Sequence, residues 1–238
     1  MTREQYYVQY GAGSIDFAVV RRDRKTLEIA VEPDARVMIS APFDTPLDRI
    51  LERVRRRAAW IQRQQRFFAQ YAPRTPERQF ISGETHLYLG RQYRLKVVPN
   101  GVGTVKLIRG FIVVESQKPD CSEITRDLVE QWYKRRAFVK FSERLELNLL
   151  RFPDSESFRP HKIMIRSLRQ RWGSMSPSTG LLLNRRLIQA PLDAIDYVIT
   201  HELCHIAEPQ HNSTFFQLLS RILPDWQRRK ERLERVMA

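Results

Sequence analysis

Tyr197-Val198-Ile199-Thr200-His201-Glu202-Leu203-Cys204-His205-Ile206 is the stretch on which the reading of this chain turns. It is an apolar run with one acidic residue, Glu202, in a segment that Pro191 opens as a helix reaching about Ala207. His201 and His205 are four positions apart, so on a helix they stand one above the other on the same face. Two imidazoles so placed can donate a nitrogen each to one zinc ion. A glutamate directly after the first histidine can reach a water at that ion and accept its proton. The plainer alternative is a pair of core histidines with Glu202 as their hydrogen-bond partner. A chance match to the pattern is expected in roughly one of 150 chains of this composition, and a carboxylate inside an apolar helix is costly without partners or a function.

A catalytic zinc takes three protein ligands and keeps a fourth position for water. His211, six residues past His205, is the leading candidate for the third. Glu208 is its rival, an i+3 neighbour of His205 if the helix continues. The spacing has the register HExxHxxGxxH, but Glu208 replaces the glycine and no methionine follows soon after. Pro209 is expected to break the helix, because the residue before a proline avoids helical geometry, and the chain can then swing His211 back. Cys204 reads as a small buried core residue. His86 and His161 are isolated and read as structural or surface residues. Arg171 and Tyr197 are candidates for stabilising an oxyanion.

Upstream of this helix, His161–Arg166 alternates as a strand does, and Arg171–Met175 and Leu181–Asn184 make a strand–loop–strand unit. The segment around Trp172–Met175 reads either as an edge strand able to hold an extended peptide or as an internal strand. Downstream, a last helix begins near Ser213. Earlier in the chain, Ile15, Phe17 and Val19 alternate with polar neighbours, Asp23-Arg24-Lys25 turns, and Leu27–Val31, stopped by Pro33-Asp34, and Arg36–Ser40 give further strands. Pro46 starts a helix to about Tyr71, with Ile50, Leu51, Val54, Trp60, Ile61, Phe67 and Phe68 on its apolar side. Pro73 and Pro76 begin a linker. From Phe80 to Glu115, Gly83, Gly90, Asn100-Gly101 and Arg109-Gly110 punctuate a meander of antiparallel hairpins. Asp120 and Glu123 look like a capping pair for a helix of about 121–150, with Pro153 beyond it. No internal repeat is visible. The fold class expected is α+β, with a mostly antiparallel β amino-terminal half carrying a long helix and a helix-rich second half. The division expected is 1–118, β-rich with an inserted helix at about 46–71, and 119–238.

The 238 residues can bury a full core, and no apolar run approaches the roughly 20 residues that span a membrane. Met1-Thr2-Arg3-Glu4-Gln5 lacks the pattern of a secretory signal, and two cysteines imply no disulfide framework, so a cytoplasmic protein is expected. A net charge of +14 attracts acidic partners. Arg53, Arg55, Arg56, Arg57, Arg63 and Arg66 crowd one helix, which is either a solvated basic face or a surface for nucleic acid. This leaves a second reading open: a nucleic-acid-associated protein with a structural zinc, or a protease acting on DNA-bound proteins.

Beyond these patterns, the chain resembles the YgjP-like metallopeptidase domain family, relatives of the WLM and SprT-like zincins. The resembling residues are Arg171-Trp172-Gly173-Ser174, Leu183-Asn184-Arg185-Arg186-Leu187, Pro191, Ile195–Ile199, His201-Glu202-Leu203-Cys204-His205, His211-Asn212-Ser213, Phe215-Phe216 and Pro224-Asp225. Ala41-Pro42, Trp60-Ile61 and Tyr88-Leu89-Gly90 before Tyr93 extend the likeness over nearly the whole chain. One departure is Met175, where family members often carry cysteine. The resemblance implies a zincin-like second half, Zn2+ held by His201, His205 and His211, Glu202 as catalytic acid/base, and a peptide or protein substrate.

Overall fold

The computed structural model describes residues 4–11, 13–24, 26–32, 35–69, 78–99, 101, 103–168 and 171–237, without the side chains of Phe67 and Phe68. Lys25, Pro33-Asp34, Tyr71, the Pro73 and Pro76 linker, and Asn100 of the Asn-Gly turn lie outside the described residues, as does any apolar role of Phe67 and Phe68. The class is α+β, and the chain gathers into two compact units that part at Thr75 and Pro76.

In the first unit, β1 (Glu4–Tyr10), β2 (Gly13–Arg21), β3 (Glu28–Val31) and β4 (Val37–Ala41) form a sheet in the order β1-β2-β4-β3. Alternation sends Ile15, Phe17 and Val19 of β2 and Val37, Ile39 and Ala41 of β4 into one core. Helix α1 (Leu47–Ala69) closes that core with Ile50, Val54, Ala58 and Ile61, a stripe at helical spacing that leaves its arginines exposed. Strand β1 is an addition to the expected set. Its register, Val8 opposite Ile15, makes it the outer arm of a hairpin with β2.

The second unit opens with the same plan. Strands β5 (Thr85–Tyr88), β6 (Arg91–Pro99), β7 (Thr104–Ile108) and β8 (Phe111–Ser116) run in the order β5-β6-β8-β7, and the long helix α2 (Ser122–Leu149) follows. Sheets expected to be antiparallel are therefore mixed: β2 pairs with β4, and β6 with β8, in parallel. The reason is the route of the chain. After β2 or β6 it skips one strand position, then folds back by a hairpin to fill the gap, and the returning strand runs with its neighbour. A repeat invisible in the residues thus exists in the topology.

Helix α2 packs on this sheet through Val129, Trp132 and Tyr133, in one core with Leu95, Ile112 and Val114 and with the residues of the helices that follow. A boundary after residue 118 would cut that shared core, and this is why the compact units part earlier. Cys121, not Asp120, is the N-cap of α2, and it makes no side-chain capping bond.

A third sheet, in the order β10-β11-β9, is built from β9 (Ile163–Arg166), β10 (Gly173–Ser176) and β11 (Gly180–Asn184). β10 lies at its edge, antiparallel to β11 and separated by it from β9. A 3-10 turn, Arg185–Gln189, leads to α3 (Leu192–Ala207). Every residue of α3 from Ala194 to Thr200 is buried, so this part is a core helix, apolar all round apart from Asp196 and Thr200. The hairpin turn Leu89-Gly90, with φ of 51° and 77°, seats on its start. The Leu89 and Gly90 N–H groups donate to the Ile188 and Gln189 carbonyls at 2.9 and 3.0 Å. A Cβ on Gly90 would come within 2.8 Å of Pro191, so the turn needs glycine for space as well as for φ.

The single last helix expected from Ser213 is two helices, α4 (Ser213–Ile222) and α5 (Trp226–Met237). Pro224 is the cause, since Leu223 before it leaves helical geometry at φ −138° and ψ 80°. None of the described helices is long and apolar enough to cross a membrane.

Candidate metal centre

The orientation of α3 is fixed by a buried polar network. Arg144 of α2 grips Asp196 with two hydrogen bonds, its Nε donating at 2.7 Å. Asn148 Nδ2 donates to Asp196 Oδ1 at 2.9 Å, and Thr200 Oγ1 donates to Asn148 Oδ1 at 3.1 Å. Asn148, Asp196 and Thr200 are all buried, so a roll of α3 would strand polar groups away from water, at about 1–3 kcal/mol for each one left unpaired. Thr200 immediately precedes His201, so the lock sits one residue from the histidines it orients.

At the far end of α3, Glu208 is the C-cap with extended backbone, φ −128° and ψ 92°, as its place before Pro209 requires. Four residues later Asn212 caps α4, its Oδ1 accepting from the Phe215 N–H at 2.8 Å. His211 stands on the short link between these two caps. The link returns it to α3: His211 Nε2 and His201 Nε2 are 2.9 Å apart. Potential ligand atoms of His201, His205 and His211 all lie within 4.8 Å of one another. Among the described residues no fourth histidine, cysteine or carboxylate joins them. Glu208, the rival, is not in the group, and its Oε2 accepts from Asn212 Nδ2 at 3.4 Å. Cys204 is fully buried, its thiol pushed up to about 12 by that burial, which leaves it a core residue.

The donor chemistry of the three rings suits a borderline divalent cation. Burial, then the neighbouring His205 and His211, hold His201 down to about 3, and burial lowers His211 too, so both are neutral imidazoles with a lone pair to give. His205 Nδ1–H donates to the Glu208 carbonyl at 3.0 Å, which leaves its Nε2 as the free acceptor. Nitrogens held by one tetrahedral zinc at about 2.0–2.1 Å stand about 3.4 Å apart, so the His201–His211 pair needs to open by only about half an ångström. Phe215 backs the group, stacked on His205 with centroids 4.6 Å apart and edge-on to His201 and His211. The residues present therefore fit a metal ion.

The histidines open onto a cleft of about 750 Å³ that β10 borders from the other side. Glu202 is only 7% exposed and lies between the two walls. Burial pushes its carboxyl up to about 7, against the opposing pull of Arg171 and a hydrogen bond from the Met175 backbone N–H. Gly173 permits this closeness: a Cβ there would sit 2.8 Å from both Cγ and Oε1 of Glu202. Arg171 and Tyr197 both line the cleft, and Tyr197 stacks on Trp226 while meeting His201 edge-on. His161, read as structural or surface from the sequence, is exposed on the cleft wall, two residues ahead of β9. His86 is buried beside Glu84, 3.0 Å from its Oε2, away from this site. The need for glycine at 173 and the Asn148–Asp196 lock were missed in the sequence.

No curated protein and no solved structure matches the chain. A family model, the YgjP-like metallopeptidase domain, matches residues 25–236. That span takes in the helix of the paired histidines, the link that bears the third and the edge strand facing them, and the chain belongs to the YgjP-like metallopeptidase family.

Proposed function

We propose that the protein is a zinc-dependent peptidase with a zincin-like second unit, in which His201, His205 and His211 hold the ion and Glu202 is the general base. The observation that carries this is the convergence of three imidazoles beside a buried glutamate in an open cleft. A zinc ion there supplies Lewis acidity toward a carbonyl and lowers the pKa of water toward about 7. Glu202 accepts the proton of the attacking water and returns it to the leaving amine. A carboxyl raised by burial toward neutrality suits both transfers, because a base works best with a pKa near the working pH. Gly173 and the Met175 carbonyl of β10 turn away from β11, by the alternation of an antiparallel pair in which the Asn184 N–H already donates to the Trp172 carbonyl, while the Met175 N–H is taken by Glu202. An extended substrate added to that edge lies along the cleft with its carbonyl toward the histidines. Arg171 and Tyr197 remain the candidates for stabilising the oxyanion. A cytoplasmic location accords with two unpaired cysteines.

The test is a pair of variants. Glu202→Gln keeps zinc and loses hydrolysis of a peptide that the wild type cleaves; retained turnover removes Glu202 from its role. His211→Ala lowers zinc affinity, and unchanged zinc content would transfer the ligand role to Glu208.

A second reading, nucleic-acid association, is favoured by a groove of about 480 Å³ in the first unit, to which Arg49, Arg53 and Arg56 of α1 contribute. Binding to DNA that weakens steeply with salt supports it, and no binding at low salt ends it. A purely structural zinc is the weaker form of this reading, because such sites close with a fourth protein ligand.

A further inference from the structure

We infer that the cleft selects acidic peptides, with Arg171 as the specificity-determining residue that receives a substrate carboxylate; this rests on the peptidase reading above. Three observations carry it. The first is charge. Of the described residues lining the cleft, Glu202 is the only carboxylate, and the peptidase reading assigns it to proton transfer. The cations are Arg159 and Arg171, with His161 beside them. Arg159 is already engaged, donating to Glu146 at 2.7 Å and pairing with Glu156 at 3.2 Å. Arg171 has no ion pair among the described residues. The charge it acts on is Glu202, whose carboxyl it pulls down against burial.

The second observation is placement. Arg171 stands two residues before Gly173, where the backbone of β10 touches Glu202, so its side chain flanks the point at which a bound peptide would meet the base. Along an edge strand, one or two residues correspond to about 3–7 Å, within reach of an arginine side chain for a substrate side chain next to the reacting bond.

The third is rigidity. The buried Asn184 side chain donates to the Leu168 and Arg171 carbonyls at 2.9 and 3.0 Å, and the Asn184 N–H donates to the Trp172 carbonyl at 2.8 Å. The backbone at Arg171 is thereby pinned to the end of β11. A guanidinium on a fixed backbone, with no hydrogen bond or ion pair to another described residue, presents a planar fork that matches a carboxylate. Arginine carboxylate recognition of this kind favours an Asp or Glu side chain over its amide, with the same shape on both substrates and only the charge changed.

The experiment uses the zinc-loaded full chain and a series of labelled octapeptides of Ala and Leu, each with Glu at one position and a twin with Gln there. In wild type, kcat/KM for the best Glu peptide is expected to exceed that of its Gln twin about tenfold, with the gap shrinking as salt rises from 50 to 500 mM. Arg171→Gln brings the twins within about twofold of each other at whatever common rate it leaves, and Arg171→Glu reverses the preference; the ratio between twins, not the rate on either, is the readout. Anisotropy on the zinc-loaded Glu202→Gln protein gives the same order by binding alone. Twins that are cleaved and bound alike, or a preference that survives in Arg171→Gln, overturn the inference and leave the peptidase reading standing. If no peptide is bound or cleaved, both fall together.

Discussion

Replacing Glu202 by Gln should stabilise the metal-free protein, and the gain should depend on pH in a direction set by burial. The Glu202 carboxyl is raised from its ordinary 4.5 to about 7 in the fold, with desolvation as the main cause. Between those two values the folded protein holds a proton that the unfolded chain has released, so wild-type stability falls as pH rises. A rise of that size costs the fold about 3 kcal/mol above pH 7, of which about 2.5 kcal/mol develops between pH 5 and pH 8. Gln has no proton to lose, and its carbonyl oxygen can still accept from the Met175 N–H. The stability of Glu202→Gln relative to wild type should therefore climb by about 2.5 kcal/mol across that range, or about 5–10 °C in Tm for a protein of this size. The assay is urea or thermal unfolding of both proteins with chelator present, at pH 5, 6, 7 and 8. A difference that stays flat with pH would refute the reasoning, because a carboxyl with an ordinary pKa in the fold is not the desolvated base described above. The same substitution abolishes turnover in the peptidase reading, so stability and activity are expected to move in opposite directions.

Gly173→Ala should retain zinc yet cut hydrolysis at least a hundredfold, since a Cβ 2.8 Å from the Glu202 carboxyl must displace it; metal analysis beside a kcat measurement checks this. Asn148→Ala removes the link between Asp196 and Thr200 and should cost about 2–3 kcal/mol in urea unfolding, with unfolding unchanged as the contrary result. His86, His201 and His211 are all held below their ordinary value of 6.5. Their contribution is complete above that pH and is lost as pH falls below it, so chelated Glu202→Gln should lose Tm steadily below about pH 6.5. His201→Gln with His211→Gln in that background should flatten the slope. Glu208→Gln should leave zinc stoichiometry and affinity unchanged, as isothermal titration would report.

The helix of the candidate site was legible because its two messages coincide: an apolar helical run from Pro191 and a functional pair at i and i+4. His211 was legible through Pro209, whose effect on Glu208 follows from proline geometry alone. The hairpin at Leu89-Gly90 and the core faces of β2 and α1 could be read from alternation and spacing in the same way. Parallel pairing of β2 with β4 and of β6 with β8 could not, because period-2 burial is the same whichever way the neighbour runs. Strand β1 carries a weaker signal, with Tyr6 and Val8 at alternating positions of Glu4–Tyr10 among polar neighbours. The Arg144–Asp196–Asn148–Thr200 lock was hidden because its members lie about 50 residues apart, and each alone resembles an ordinary polar residue on a helix. Gly173 was quoted as part of a motif, but the reason for glycine there is a contact with Glu202, 29 residues later and on another element. Met175 follows the same logic: its backbone N–H, not its side chain, reaches the base, so the departure from cysteine leaves that bond intact.

His205 is steadied by a main-chain oxygen, that of Glu208, where many histidine ligands lean on a carboxylate side chain. Mutation cannot delete a carbonyl. Residue 208 is consequently free to drift in size, charge and polarity while the ring of His205 stays aimed, and the guardian of that aim is Pro209, which holds the backbone of residue 208 extended. An engineer recolouring this loop could change position 208 at will, and would lose the aim of that ring by relaxing the proline beside it.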